Sequence, residues 1–193
     1  MKGEGKPETT VMLNAAIVDR QWWVQKVSAR RFRCGLVQER LPYILAKFGR
    51  ERTEMIHARL NAVGKEVGVS FSHGGNTGNT RLSHRLIYYA GLEGRQEEVV
   101  ERVFKGYFEE ERDICEVETL VKLGAEAGLE EGGVREWLSG EEGGEVVDAE
   151  VEEARVKGVR GVPNFEVNGR WVLGGAQEEG EFVKVFEEAE RGE

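Results

Sequence analysis

The stretch "GVPNFEVNGRWVLGGAQ", residues 161 to 177, constrains the fold more than any other part of the chain. Phe165 and Val167 alternate with polar neighbours, and Trp171 and Leu173 do the same in the following run, the pattern of two half-buried strands. Between them stands Asn168-Gly169. That dipeptide takes positive φ readily, as a two-residue hairpin turn requires if its twist is to match that of the flanking strands. The spacing therefore predicts a β-hairpin with Pro163 at its entrance, where a residue without an N–H does no harm.

An isolated pair of strands is marginal in water and needs further strands or a helix against it. Most of the preceding chain reads as helix. Ile56, Leu60, Val63 and Val67 follow 4-3-4 spacing and predict an amphipathic helix over residues 50–67. "SFSHGGNTGNT" has the composition of a loop, and Asn79 or Thr80 suits the N-cap of a helix carrying Leu82, Leu86 and Tyr89. Apolar stripes follow at Val100, Val103, Phe104, Tyr107 and Phe108, and then at Val117, Leu120, Val121 and Gly124. Shorter ones lie at 134–138 and at Val147, Val151 and Ala154. After the hairpin, Phe182, Val185, Phe186 and Ala189 predict a last helix. Any further strands must lie in residues 1–40, with Thr10 to Val18 the best candidate.

Charge divides the chain at the same place. Residues 1–40 carry a net +4 and residues 41–193 a net −13. The acidic bulk argues against nucleic acid or an anionic membrane as partner, since either needs a basic surface. Val11 to Val18 is far too short to span a bilayer, and the first residues lack a secretory cleavage pattern. The two cysteines, Cys34 and Cys115, do not form a disulfide framework, so a reducing, cytoplasmic setting is expected.

Several separate motifs carry a family resemblance. They are "FGRERTEMIHARLNAVGKEVGVSFSHGGNTGNTRLSHRL", with its NTxxxHRL helix opening, then "YFEEERDI", "LVKLGAEAGL" and "ARVKGVRGVPNFEVNGRWVLGGAQ". Together they cover about residues 40–190, and over that span the chain resembles the DsbA-like thioredoxin-fold family, most of all its FrnE-like branch. The resemblance implies an α/β thioredoxin-like fold with a large helical insertion. It divides the chain into an atypical segment at 1–40, a helical insertion at 41–157 and a C-terminal ββα part of the core at 158–193. It also implies that Pro163 is the family's cis-proline, with Val162 before it, in a loop that offers backbone groups to an extended thiol- or disulfide-containing protein or peptide.

The departure from the family is at the N-terminus. Members begin with a strand leading into a C-x-x-C motif at a helix N-terminus, where the first thiol is activated. No C-x-x-C occurs in this sequence, so the βαβ unit is missing or replaced. The charge shift near residue 40 favours a coding sequence that lacks its first part over a genuinely rebuilt N-terminus.

Of the two thiols, Cys34 is the better candidate for reactivity, because Arg30, Arg31 and Arg33 favour its thiolate. It has no resolving cysteine nearby. Cys115, among Glu110, Glu111, Asp113, Glu116 and Glu118, is expected to be inert. His57, His73 and His84 have no metal-ligand spacing. His84 reads as structural and His73 as solvent-exposed, while "GGNTGNT" lacks the Lys-Ser/Thr ending of a phosphate loop.

The expected function is that of a thiol-disulfide oxidoreductase family member, inactive over these 193 residues, with no cofactor or metal. The alternatives are a kappa-class type of glutathione-dependent isomerase or transferase, and a non-catalytic peptide-binding module. An uncovered hairpin edge would also pair with a second copy, giving a homodimer.

Overall fold

The computed structural model describes residues 37–159, 163–175 and 177–192. They fall into two compact units, residues 37–150 and residues 151–192, with one helix running across the boundary.

The first unit is mostly helical. Strand β1 (Gln38–Glu39) leads into α1 (Arg40–Phe48), α2 (Arg50–Val67), strand β2 (Asn76–Thr77), α3 (Arg81–Leu92), α4 (Gln96–Phe108), α5 (Val117–Glu126) and α6 (Glu131–Ser139). Helix α7 (Gly144–Val156) crosses into the second unit. The two short strands pair antiparallel, Gln38 with Thr77 and Glu39 with Asn76. Pro42 is tolerated in α1 because it stands in the first turn, where no intrahelical N–H is needed.

The core lies among α3, α4, α5 and α6. Leu86, Val99, Val103, Leu120, Val121 and Val134 are all fully buried there. The helices approach closely at Gly124, where a Cβ would lie 3.2 Å from a Val134 methyl and 3.4 Å from one of Leu86. In α4 Val103 of the expected stripe is fully buried together with Val99, while Val100, Phe104, Tyr107 and Phe108 are half-buried. The α5 and α6 stripes face inward as their spacing predicts.

Helix α2 departs further. Its buried positions are Thr53 and Gly64, whereas Leu60, Val63 and Val67 remain 40%, 50% and 70% exposed. The helix packs through the side that carries Gly64, because the segment after it turns back there. A Cβ on Gly64 would stand 2.6 Å from the Val69 carbonyl oxygen and 2.8 Å from the Phe71 ring.

In the second unit, β3 (Asn164–Val167) and β4 (Trp171–Gly174) form an antiparallel hairpin, followed by α8 (Glu179–Arg191). Phe165 opposes Leu173 and Val167 opposes Trp171, so the four apolar residues share one face, as their alternation predicts. Asn168 and Gly169 have φ of 49° and 68°, the double left-handed turn expected for this pair. Phe182 of α8 stacks edge-on against Phe165 with ring centroids 4.9 Å apart.

Candidate functional site

The hairpin entrance is built from backbone. The Pro163 carbonyl accepts a hydrogen bond from the Gly175 N–H at 2.7 Å, closing the open end of the hairpin beyond the Asn164–Gly174 pair. The Gln177 side-chain amide donates to the Gly174 carbonyl at 2.7 Å. Phe165 is anchored on α8, so the strand that begins after Pro163 is held from one side and at both ends. Among the described residues β3 pairs with β4 alone. Glu166 and Lys157 stand 3.5 Å apart at this strand. Chemically, the arrangement can pair with an extended chain. Among the described residues it offers no nucleophile. Val162, the Val162–Pro163 bond and Cys34 lie outside the described residues.

The other chemistry-bearing residues lie in the helical unit. Asp113 accepts from the Cys115 N–H at 2.9 Å through one carboxylate oxygen and from the Asn76 side-chain amide at 2.9 Å through the other. It thereby ties the turn before α5 to β2. The Cys115 sulfur packs against Gly78, with room only because that residue has no side chain: a Cβ would lie 3.0 Å away. Burial foremost, then the charge of Asp113, push the thiol up to about 12, so almost none of it is thiolate near neutral pH. Asp113 and its neighbours thus make Cys115 a packing residue.

The NTxxxHRL segment proves architectural. Asn79 Oδ1 accepts from the Arg81 N–H at 2.9 Å, so the cap of α3 comes from Asn79, one residue before the N-cap position held by Thr80. His84 is buried, with Nδ1 2.7 Å from the Thr80 carbonyl oxygen. Arg81 reaches Asp148 at 3.0 Å and Glu141 at 3.1 Å. Arg85, 1% exposed, donates to the carbonyls of Trp137 (2.6 Å), Gly140 (2.8 Å) and Glu142 (2.9 Å), satisfying the C-terminal end of α6. Trp137 returns a bond from its indole N–H to the Arg85 carbonyl at 3.2 Å. An arginine inside a helix gives no hint of this role in the sequence.

A second arginine clamp supports the glycine loop. Arg40 donates to the Ser72 carbonyl at 2.6 Å and the Tyr107 carbonyl at 3.0 Å, and lies 4.6 Å from the Tyr107 ring centroid. Glu111, at a left-handed φ of 57°, accepts from the Ser72 hydroxyl and from the Gly74 N–H. His73, between them, is half-buried, not solvent-exposed: its ring lies flat on His57 with centroids 3.7 Å apart. Among the described residues no three His, Cys, Asp or Glu side chains are grouped to hold a metal ion.

Residues 36–186 match the DSBA-like thioredoxin domain. The chain belongs to that family. The hairpin, the α8 packed on it and the largely helical unit ahead of it are therefore the C-terminal core and insertion of a DsbA-like thioredoxin fold. Among solved structures the chain is similar to a probable DsbA oxidoreductase from Streptomyces coelicolor. The TM-score is 0.73 and the identity 26%, and the match covers 90% of this chain and 86% of the other. No curated protein matches the sequence. No helix among the described residues of this DsbA-like chain is long and apolar enough to cross a membrane.

Proposed function

We propose that this chain is a FrnE-like member of the thiol-disulfide oxidoreductase class in which the substrate-holding half of the site is retained while these 193 residues lack the exchange chemistry. The observation that carries the proposal is the β3 edge. It starts at Pro163, is braced by Gly175 and Phe182, and is open among the described residues to an extended thiol- or disulfide-containing peptide. Val162 and Pro163 are the residues we assign to that contact. The family membership and the DsbA oxidoreductase neighbour support the class.

Exchange requires a thiolate to attack a disulfide sulfur and a second thiol to release the mixed disulfide. Cys115 cannot supply the first, since its thiol is pushed up to about 12. Cys34 has no partner at C-x-x-C spacing. The low cysteine count agrees with action in a reducing, cytoplasmic compartment.

The test is fluorescence anisotropy with an extended, disulfide-capped peptide, on the chain and on Pro163→Ala. The expected result is saturable binding, weakened by the substitution and unaffected by Cys34→Ser. Glutathione that displaces the peptide at comparable concentration would favour the glutathione-dependent reading instead. Peptide affinity identical in Pro163→Ala would remove the proline loop from the site.

A further inference from the structure

Helix α2 buries little of its apolar side. Its apolar stripe contributes little to holding it, since Leu60, Val63 and Val67 are 40%, 50% and 70% exposed and Met55 is 60% exposed. What joins it to the segment at residues 69–80 is the contact at Gly64 and one aromatic pair. His57, on α2, and His73, in the segment, stack with centroids 3.7 Å apart and ring planes 7° apart. The His73 Nε2 lies 2.9 Å from the Asn61 side-chain oxygen, one helical turn beyond His57. A flat stack of neutral imidazoles is attractive, but two imidazolium rings at that separation repel.

We propose that the His57–His73 stack is an acid-released latch, which holds α2 against the 69–80 segment at neutral pH and lets that contact open when the His73 ring becomes charged. Histidine is the side chain whose charge changes in the mildly acidic range, so the device responds to acidification.

The charged surroundings do not neutralise the pair. Arg40, from α1, faces the same region through its bond to the Ser72 carbonyl. Glu111, from the turn after α4, is already engaged by the Ser72 hydroxyl and the Gly74 N–H, and Glu109 accepts from the Ser70 N–H. On α2 itself, Glu54 is paired with Arg50 at 3.7 Å. His73 is accordingly held below 6.5, by burial first, then by His57 and Arg40. The sign follows: the open form binds a proton more readily than the closed one. The closed contact is fully favoured above 6.5 and loses stability as pH falls from there toward the lowered value.

Hydrogen exchange resolved to peptides tests this on the whole chain at about pH 7.5 and about pH 5, corrected for the intrinsic pH dependence of exchange. The expected result is a loss of protection confined to residues 50–80 at the lower pH. Protection of α5 and α6 should stay constant. His73→Phe keeps a flat ring without a titrating charge and should abolish the response; His73→Gln serves the same purpose if the larger ring does not fold. Unchanged protection at both pH values would overturn the latch. So would an equal loss in α5 and α6, which would mean general acid unfolding, or a response preserved in the uncharged variant.

Discussion

Replacing Arg85 with methionine removes a side chain that joins α3 to the end of α6. Three carbonyls, of Trp137, Gly140 and Glu142, lose a donor at 2.6 to 2.9 Å, while the fourth contact, to Leu138 at 3.5 Å, is too long to weigh. A hydrogen bond to a charged donor contributes about 1.5 to 3 kcal/mol, so the three sum to about 4.5 to 9 kcal/mol if treated as independent. Two effects reduce that sum. Burial already disfavours the guanidinium charge, as the downward shift of its pKa records, and this penalty disappears with the charge. Glu142 is also exposed, so water can reach its carbonyl once the arginine is gone. The net loss should be about 3 to 5 kcal/mol, a large share of the roughly 5 to 15 kcal/mol that a domain has. Thermal unfolding followed by circular dichroism should show the midpoint falling by about 10 to 20 °C. Arg85→Lys should fall in between, because an ammonium cannot span carbonyls contributed by three residues. A loss below about 1 kcal/mol for the methionine variant would refute the clamp.

Three further outcomes follow from the geometry. Arg102, Glu110, Arg112 and Glu126 form a closed ring of ion pairs, in which Arg102 holds Glu110 below 4.5 and Arg112 does the same for Glu126. Their contribution is present above 4.5 and lost as pH falls through the lowered values. Because Glu126 is 39% exposed, Glu126→Gln should cost about 1 kcal/mol or less at neutral pH and flatten the acid limb of a stability-versus-pH curve. With Cys34→Ser as background, the native thiol of Cys115 should react with a disulfide reagent far more slowly than in denaturant, because burial and Asp113 push its thiol from 9.0 up to about 12 and leave little thiolate. Gly169→Ala places a Cβ at φ 68° and should weaken the hairpin by about 1 kcal/mol, read as faster exchange of the Asn164–Gly174 amides.

How much of this was legible in the sequence depends on what carried each element. The hairpin was legible from strand alternation and the Asn-Gly pair, but its register was not: a two-residue turn would set Val167 opposite Arg170, whereas Val167 pairs with Trp171 and three residues, Asn168 to Arg170, form the loop. The stripes of α5 and α6 were legible for the same local reason. The stripe of α2 misled, because Gly64 allows Phe71 and Val69 so close that packing rotates the helix away from its apolar side. Helix α1 carries little signal: Pro42 sits in its first turn and Gly49 ends it after nine residues. The clamps of Arg40 and Arg85 were invisible, since their acceptors are main-chain carbonyls 32 to 67 residues away, which no side-chain pattern encodes. The candidate site was legible as a proline before a strand. That β3 pairs only with β4 among the described residues is a property of the sheet, and only the fold displays it.

The central claim is that these residues hold a substrate strand without exchanging its disulfide. The direct measurement is the initial rate of thiol-dependent reduction of a peptide disulfide by the chain and by its Cys34→Ser/Cys115→Ser variant, side by side. The account predicts the same background rate for both, with peptide binding intact in each. A rate that stands above background and vanishes in the double variant would contradict it and make one of the two cysteines a working nucleophile.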